Sequence, residues 1–210
     1  MKYAEKPVTE FTDATFSKDP VPGGGGVSAL AGALGTALGG MVCNLTTGKK
    51  KYAQYEDDIQ RIMKEANEIK DSLIGMIDQD AENFLPLSKA YGLPTGTDEE
   101  KAHKAEVMEK CLKVACSVPV DIVKTSYKVI ALMEELSQKG SSLALSDVGV
   151  GVTLLRGAIT GGWLNVVINI NSIKDEEYVK QIREEVEPLV TDGMKKCDEI
   201  YMNVWKTLQK

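Results

Sequence analysis

Apolar residues recur at intervals of three and four along nearly the whole chain, and this spacing constrains the fold more than any other feature. An α-helix places such residues on one face, whereas a half-buried strand alternates apolar and polar residues. No stretch of the sequence alternates apolar and polar residues cleanly between turn residues, as a series of strands would. We therefore expect an all-α fold class in which each helix buries one stripe.

Gly, Pro and polar residues interrupt the helical pattern and set the expected helix boundaries. Pro119 is expected to open the fifth helix, and Asp175 is expected to cap the last one. No linker separates segments of different composition, so residues 1–210 are expected to form a single domain, an up-and-down helical bundle. The expected helices span residues 8–17, 27–47, 52–90, 98–118, 119–139, 146–169 and 175–210.

Composition excludes several classes of protein. The net charge of -6 and the pI near 5.0 argue against nucleic-acid binding, which needs a basic surface. The four cysteines form no C-x-x-C pair, as expected for free thiols in a reducing compartment. The first residues lack the apolar core of a signal peptide, and the most apolar run, 157–170, is too short to cross a bilayer. We therefore expect a soluble, cytoplasmic protein with no membrane partner.

Asp80 interrupts the buried stripe of the long charged helix. On a wheel of about 100° per residue, Asp80 lies about 20° from the centre of that stripe, whereas Asp71, Asp78 and Glu82 fall on the far, solvated side. An unpaired carboxylate is costly in a core. Either a neighbouring helix supplies a lysine or a buried amide, or Asp80 is a general acid/base tuned by dry surroundings. The stripe consists of Ile59, Ile62, Ala66, Ile69, Leu73, Ile77, Phe84 and Leu87.

A run of four glycines, Gly23, Gly24, Gly25 and Gly26, leads into a helix rich in small residues such as Ser28. Backbone N–H groups at a helix N-terminus can approach an anion or a carbonyl where no side chain intervenes. The run is not a P-loop, because the Lys-Ser/Thr pair is absent, and no strand precedes it as in a dinucleotide fold. It is therefore either a ligand-binding loop or a flexible connection.

The segment 146–169 is unusually apolar and rich in glycine. In one continuous helix, Asp147 and Asn165 share a face with small residues, and Asn169 lies one turn beyond Asn165. Gly costs about 1 kcal/mol relative to Ala inside a helix, so these glycines serve the close approach of another helix or of a flat ligand. Arg156 lies on the opposite face, where a surface or subunit contact would explain it.

Three lysines, Lys49 to Lys51, follow the glycine-rich helix of this acidic chain. They suit either an anionic substrate tail or a solvated cluster at a helix C-terminus. The single histidine, His103, lies among charged residues, so no Ser/His/Asp or Cys/His arrangement and no zinc ligand set can be built. Any chemistry must then use carboxylate, lysine and amide groups.

Several motifs in the same order resemble the cyclodeaminase/cyclohydrolase family over essentially the whole chain. They are PVPGGGGVSA, GKKKY, IDQDAENF, Ser117-Val118-Pro119, and SDVGVG continuing into NVVIN. The family comprises the C-terminal domain of formiminotransferase-cyclodeaminase and stand-alone bacterial methenyltetrahydrofolate cyclohydrolases. The resemblance implies an all-helical homodimer that acts on folate one-carbon adducts. It implies no metal and no cofactor, since the tetrahydrofolate derivative is the substrate.

The resemblance also implies site residues. The family's catalytic aspartate precedes Ala-x-x-Phe, which makes Asp80 the catalytic residue here. Arg156 falls where relatives vary and is left outside the site. Family positions expected around the pterin match Gly23, Gly24, Gly25, Gly26, Asp147, Asn165 and Asn169. Ser28, Lys49 and Lys51 complete the expected substrate-binding residues on the sequence pattern itself, with one lysine steering the glutamate tail.

Three functions follow as expectations. The first is hydrolysis of 5,10-methenyltetrahydrofolate to 10-formyltetrahydrofolate, which the absence of an attached formiminotransferase domain favours. The alternative is formimidoyltetrahydrofolate cyclodeaminase, which releases ammonia and would use the same acid/base. A non-catalytic folate-binding module is the third, and a buried Lys or Arg on Asp80 would be its signature.

Overall fold

Six α-helices form within residues 2–209, which are the residues that the computed structural model describes. Short 3₁₀ turns at Tyr3–Glu5, Lys50–Tyr55 and Ser142–Ala144 join or precede them, and no strand occurs in this part of the chain. The all-α prediction is therefore confirmed. The helices are α1 (Val8–Phe16), α2 (Gly24–Asn44), α3 (Glu56–Ala90), α4 (Asp98–Lys139), α5 (Leu145–Ile170) and α6 (Glu176–Leu208).

Helices α2 to α5 pack as an up-and-down bundle, and α6 lies against α4 and α5. Helix α2 packs against both α3 and α5. The two backbones of α2 and α5 approach closely at Gly35, where a Cβ would lie 2.8 Å from the carbonyl oxygen of Gly151. The small residues predicted on the α5 face therefore serve helix packing along the middle of α5.

The buried stripe predicted for α3 is present. Ile59, Ile62 and Leu73 are fully buried, and Ile69 and Phe84 pack against the core while partly exposed. Of the carboxylates predicted to be solvated, Asp71 and Glu82 are exposed, but Asp78 is half-buried and accepts a hydrogen bond from the backbone N–H of Tyr3. The N-terminal segment explains this difference, because it folds back onto α3.

Helix termini follow the capping rules in two places. Thr97 and Glu100 form a reciprocal capping box at the start of α4. At the start of α6, Asp175 accepts a hydrogen bond from the backbone N–H of Tyr178 at 3.1 Å, as predicted. The four cysteines are free, and burial raises the pKa of Cys43 and Cys116 to about 11.

The predicted helix boundary at Pro119 is wrong, because α4 runs without interruption from Asp98 to Lys139. Proline inside a helix costs about 3 kcal/mol. Pro119 is buried, as are Val118, Val120 and Ile122 beside it. Burying each such side chain contributes about 1.5–3 kcal/mol, so packing on both sides of the proline outweighs its cost.

Two helices are long and apolar enough to cross a membrane by length and composition, namely α2 and the stretch Ser142–Ile170. The second is longer than the apolar run of residues 157–170 singled out in the sequence. About half of each apolar window is buried inside the bundle, 56% and 50% respectively. Packing in the bundle thus accounts for much of the apolar character of both helices.

Candidate active site

Asp80 of α3 caps the N-terminus of α2. Its side chain is 9% exposed, and its Oδ2 accepts a hydrogen bond from the backbone N–H of Gly26 at 2.9 Å. The first N–H groups of a helix have no acceptor within the helix, and a polar side chain at the N-cap commonly supplies one. The N-cap residue of α2 is Gly23, which has no side chain. Asp80 therefore takes over the capping function from across the bundle.

The glycine run allows this close approach. Gly24 to Gly26 form the first turn of α2, so the helix starts earlier than residue 27 and the run is not a flexible connection. A Cβ on Gly25 would overlap Asp80 Oδ1 and lie 2.5 Å from its Cγ. A Cβ on Gly24 would lie 2.9 Å from Asn165 Nδ2. These two positions must be glycine because α3 and α5 press polar side chains against them.

Burial dominates the electrostatics of Asp80. Desolvation raises its pKa to about 6, and the hydrogen bond from Gly26 acts in the opposite direction. No charged side chain of residues 2–209 contributes to this pKa. The compensation expected for the buried carboxylate is thus a backbone N–H rather than a lysine or arginine. The pKa of Asp80 is thus close to neutral pH, which suits a general acid/base.

Asn165, Asn169 and Ser28 lie at the same end of the bundle. Asn165 Nδ2 donates to the carbonyl oxygen of Gly161 at 2.8 Å, and Asn169 Nδ2 donates to that of Asn165 at 2.7 Å. Ser28 Oγ donates to the carbonyl oxygen of Gly24 at 2.7 Å. The structure therefore gathers four kinds of predicted site residue around the first turn of α2: the glycines, the serine, the aspartate and the asparagines.

Lys49, Lys51 and Asp147 lie at the other end of the bundle. The lysines follow the C-terminus of α2, and Asp147 is in the first turn of α5. Asp80 lies 24 residues beyond the start of α3 at Glu56, about 36 Å along the helix. One copy of the chain therefore does not bring these three side chains to Asp80. Asp147 shares a face of α5 with Asn165, but a shared face does not mean that two residues lie close together along the helix.

Arg156 and His103 lie outside this group. Arg156 Nε forms an ion pair with Asp198 Oδ1 of α6 at 2.7 Å, which explains its place on the face away from α2. His103 is exposed near the start of α4.

Two features near Asp80 escaped the sequence reasoning. Asn83 of α3 donates to the carbonyl oxygen of Val114 at 3.3 Å and to Ser117 Oγ at 3.2 Å, which ties α3 to α4 one turn from Asp80. An apolar cavity of about 530 Å³ lies between the N-terminal segment, α1, α2 and α3. It shares Val27 and Ile77 with the surroundings of the capped turn, but Asp80 itself does not line it. Val8 and Phe16 of α1, which are 75% and 93% exposed, are among the residues that line it.

Fold and site together define the class of this protein: it is an all-α bundle in which a buried carboxylate of one helix packs against the first turn of a glycine-rich helix. The family model for formiminotransferase-cyclodeaminase matches residues 7–188. A methenyltetrahydrofolate cyclohydrolase of Methylorubrum extorquens strain AM1 is 38% identical over 94% of this chain and 95% of its own length. The chain thus belongs to the formiminotransferase-cyclodeaminase family.

Other relatives are named as cyclodeaminases. A formimidoyltransferase-cyclodeaminase of Gallus gallus is 30% identical over 90% of this chain, which spans 35% of that longer protein. The crystal structure of a formiminotetrahydrofolate cyclodeaminase from Thermotoga maritima superposes with a TM-score of 0.80 at 28% identity, covering 98% of this chain and 96% of that one.

Proposed function

We propose that this protein is a methenyltetrahydrofolate cyclohydrolase, which converts 5,10-methenyltetrahydrofolate and water into 10-formyltetrahydrofolate in cytoplasmic one-carbon metabolism. The bacterial relative of that name supports the assignment, because it matches this chain over nearly the full length of both. The observation that carries the proposal is the buried Asp80 carboxylate, whose pKa is raised to about 6. The reaction requires neither a metal nor a cofactor, since the tetrahydrofolate adduct is itself the substrate.

The chemistry suits a single carboxylate. In the substrate, one carbon bridges N5 and N10 as a delocalised amidinium cation. Water adds to that carbon, the bond to N5 breaks, and the carbon stays on N10 as a formyl group. Asp80 as carboxylate stabilises the cation, takes a proton from the attacking water or its adduct, and returns a proton to N5 as that nitrogen leaves. Such transfers contribute about 10²- to 10⁴-fold to the rate.

The hydrogen bond from Gly26 gives the two carboxylate oxygens of Asp80 different roles. Oδ2 is occupied by the Gly26 N–H, which leaves Oδ1 to exchange protons with the substrate. The N–H groups of Gly24 and Gly25 lie in the same first turn, where the helix dipole favours a developing negative oxygen. We assign them the oxyanion or pterin carbonyl contacts.

The proposal includes a homodimer, and exposed apolar side chains of neighbouring helices support it. Leu34 and Met41 on α2 are 51% and 49% exposed, and Leu164 and Ile168 on α5 are both 68% exposed. Gly157 lies in the middle of α5 with open space where its Cβ would be, although a mid-helix glycine costs about 1 kcal/mol. A second copy packed closely on this face would account for both observations.

Two-fold symmetry could bring Lys49, Lys51 and Asp147 of a second copy close to Asp80. In an isologous dimer the same face meets itself, so an antiparallel α2 pair sets the start of one α2 beside the end of the other. Helix α2 has 21 residues and spans about 32 Å. Lys49, Lys51 and Asp147 of a second copy would then approach Asp80, with a lysine meeting the anionic glutamate tail.

The second candidate is formimidoyltetrahydrofolate cyclodeaminase, which the Thermotoga maritima neighbour favours. Separate incubation with each folate adduct distinguishes the two. The cyclohydrolase removes the methenyl absorbance without ammonia, and the cyclodeaminase releases ammonia while that absorbance rises. Binding of folates with neither reaction would instead identify a non-catalytic module, and the proposal would be wrong.

A further inference from the structure

The apolar cavity of about 530 Å³ begins beside the capped turn. Its wall includes Ile77, which lies one turn before Asp80 on α3, and Val27, which follows Gly26 on α2. Residues three apart on a helix have Cβ atoms about 5–6 Å apart. The cavity is therefore within one residue or one helical turn of the hydrogen bond between Asp80 and Gly26.

The walls of this cavity offer apolar surface and few free polar groups. Thr12 and Thr15 donate their hydroxyl hydrogens to backbone carbonyls of α1, and Tyr3 donates to the carbonyl oxygen of Val21 at 3.1 Å. Among the lining residues in the described part of the chain, Lys6 alone is charged. Small-molecule sites commonly have apolar walls and volumes of about 300–1,000 Å³. The cavity has the size and the lining of such a site.

Helix α1 forms one wall of the cavity and is itself only lightly anchored. Phe11 is the one side chain of α1 that is buried, whereas Phe16 lines the cavity and is 93% exposed. An exposed aromatic ring at a cavity wall gains stability when an apolar ligand covers it and removes it from water. Phe16 can therefore contribute to ligand binding without contributing to the core.

The proposed substrate carries an aromatic ring next to its reacting carbon. In 5,10-methenyltetrahydrofolate only N10 separates that carbon from the aminobenzoyl ring, so a carboxylate that exchanges protons there has the ring close by. On its other side the capped turn is polar, because Asn165 Nδ2 would lie 2.9 Å from a Cβ on Gly24. The apolar side next to Val27 thus matches the aminobenzoyl ring, and the polar side matches the pterin.

We propose that the cavity between the N-terminal segment, α1, α2 and α3 binds the aminobenzoyl ring of the reduced folate, with Phe16 packing on that ring. This inference rests on the proposed function for the identity of the ligand. Lys6 supplies a positive charge for the glutamate carboxylates that follow the ring. The lysines of a second copy remain for the outer part of a longer glutamate tail.

The test compares two ligands that differ in the aminobenzoyl ring. 5-Formyltetrahydrofolate is a stable reduced folate with the ring, and 6-methyltetrahydropterin is a reduced pterin without it. Equilibrium binding of both is measured under anaerobic conditions, since binding needs no turnover. We expect Phe16→Ala to weaken binding of the folate about fivefold and to leave binding of the pterin unchanged. Tyr91→Ala is the matched control, because Tyr91 is an exposed aromatic residue at the end of α3 that does not line the cavity.

A second variant fills the cavity instead of removing a wall. Ile74 of α3 lines the cavity and is half-buried, so Ile74→Trp places a larger ring in the same space. We expect it to weaken folate binding about tenfold and again to spare the pterin. In steady-state assays both variants should raise KM more than they lower kcat. Thermal unfolding separates a folding defect from a lost contact.

Three outcomes would overturn the inference. The first is an equal loss of affinity for both ligands, and the second is normal folate binding by either variant. The third is a shift from dimer to monomer when Phe16→Ala is examined by sedimentation velocity, which would assign the cavity to a second copy of the chain. Folate binding by the unchanged protein with neither enzyme reaction would count against the proposed function alone, because the ligand comparison does not depend on turnover.

Discussion

Asp80 and Gly26 lie 54 residues apart in the sequence and are joined by one hydrogen bond of 2.9 Å from a backbone N–H to a carboxylate oxygen. This bond closes the first turn of α2 with a side chain of α3. It also fixes one oxygen of the only acid in the chain that we assign to catalysis. The same contact is therefore part of the fold and of the proposed reaction.

Asp80→Asn should abolish most turnover while preserving the fold, because an amide can still accept from Gly26 but cannot exchange a proton. We expect a loss of at least about 10²-fold in kcat, followed as decay of the methenyl absorbance. Glu82→Gln is the matched control, since Glu82 is exposed two residues away on the same helix. Near-normal decay with Asp80→Asn would remove Asp80 from the mechanism.

Asp80 should also make stability depend on pH. Its folded-state pKa of about 6 lies above its ordinary value of 3.8, so the folded protein binds this proton more tightly than the unfolded chain does. The resulting cost is absent below about pH 3.8, grows as the pH rises, and reaches about 3 kcal/mol above pH 6.

Urea unfolding of the unchanged protein and of Asp80→Asn at several pH values between 4 and 8 measures this cost. The variant should gain in relative stability as the pH rises through this range. A constant difference between the two proteins would show that Asp80 titrates with its ordinary pKa.

Gly25→Ala should disrupt the site directly. The added methyl group would overlap Asp80 Oδ1, so either the carboxylate or the start of α2 must shift. We expect a loss of activity together with about 1–3 kcal/mol of stability, as for other overpacked sites. Gly75→Ala is the control, because a Cβ there meets open space on α3, and it should stabilise the helix by about 0.5–1 kcal/mol.

Leu34→Glu should disrupt the proposed dimer, because it sets two carboxylates near the symmetry axis of an apolar face. Sedimentation velocity would show a shift from dimer to monomer. Val114→Glu, which adds the same charge to an exposed position on α4, should leave the assembly unchanged. An unaltered dimer with Leu34→Glu would place the interface on another face.

Mixed dimers test whether each site draws on two copies. Asp80→Asn and the double variant Lys49→Glu/Lys51→Glu should each be impaired alone. After the two proteins are mixed and subunits exchange, half of the molecules are heterodimers with one intact site, so activity should recover to about a quarter of the unchanged level. Absence of recovery, with heterodimers demonstrated, would exclude these lysines from the second copy's site.

Part of the site was accessible to sequence reasoning because it breaks a strong pattern. An acidic residue on the buried stripe of a long amphipathic helix is visible on a helical wheel, and the structure buries Asp80 as expected. The grouping of Lys49 and Asp147 with Asp80 could not be judged in this way. Periodicity assigns residues to a face, whereas their distance depends on how far along each helix they lie.

The predicted helix boundary at Pro119 was wrong for a related reason. A proline raises the cost of continuing a helix, and the sequence shows that cost. The compensating burial of Val118 and Ile122 depends on neighbouring helices, which a local pattern does not contain.

Sequence by itself determined the all-α class, the faces that are buried and the presence of one misplaced carboxylate, because each follows from local periodicity and the cost of burying charge. Only the tertiary structure decided what the glycines are for. Their first turn has no capping side chain of its own, and the packing of α3 and α5 against it brings Asp80 and Asn165 to positions that a Cβ would occupy.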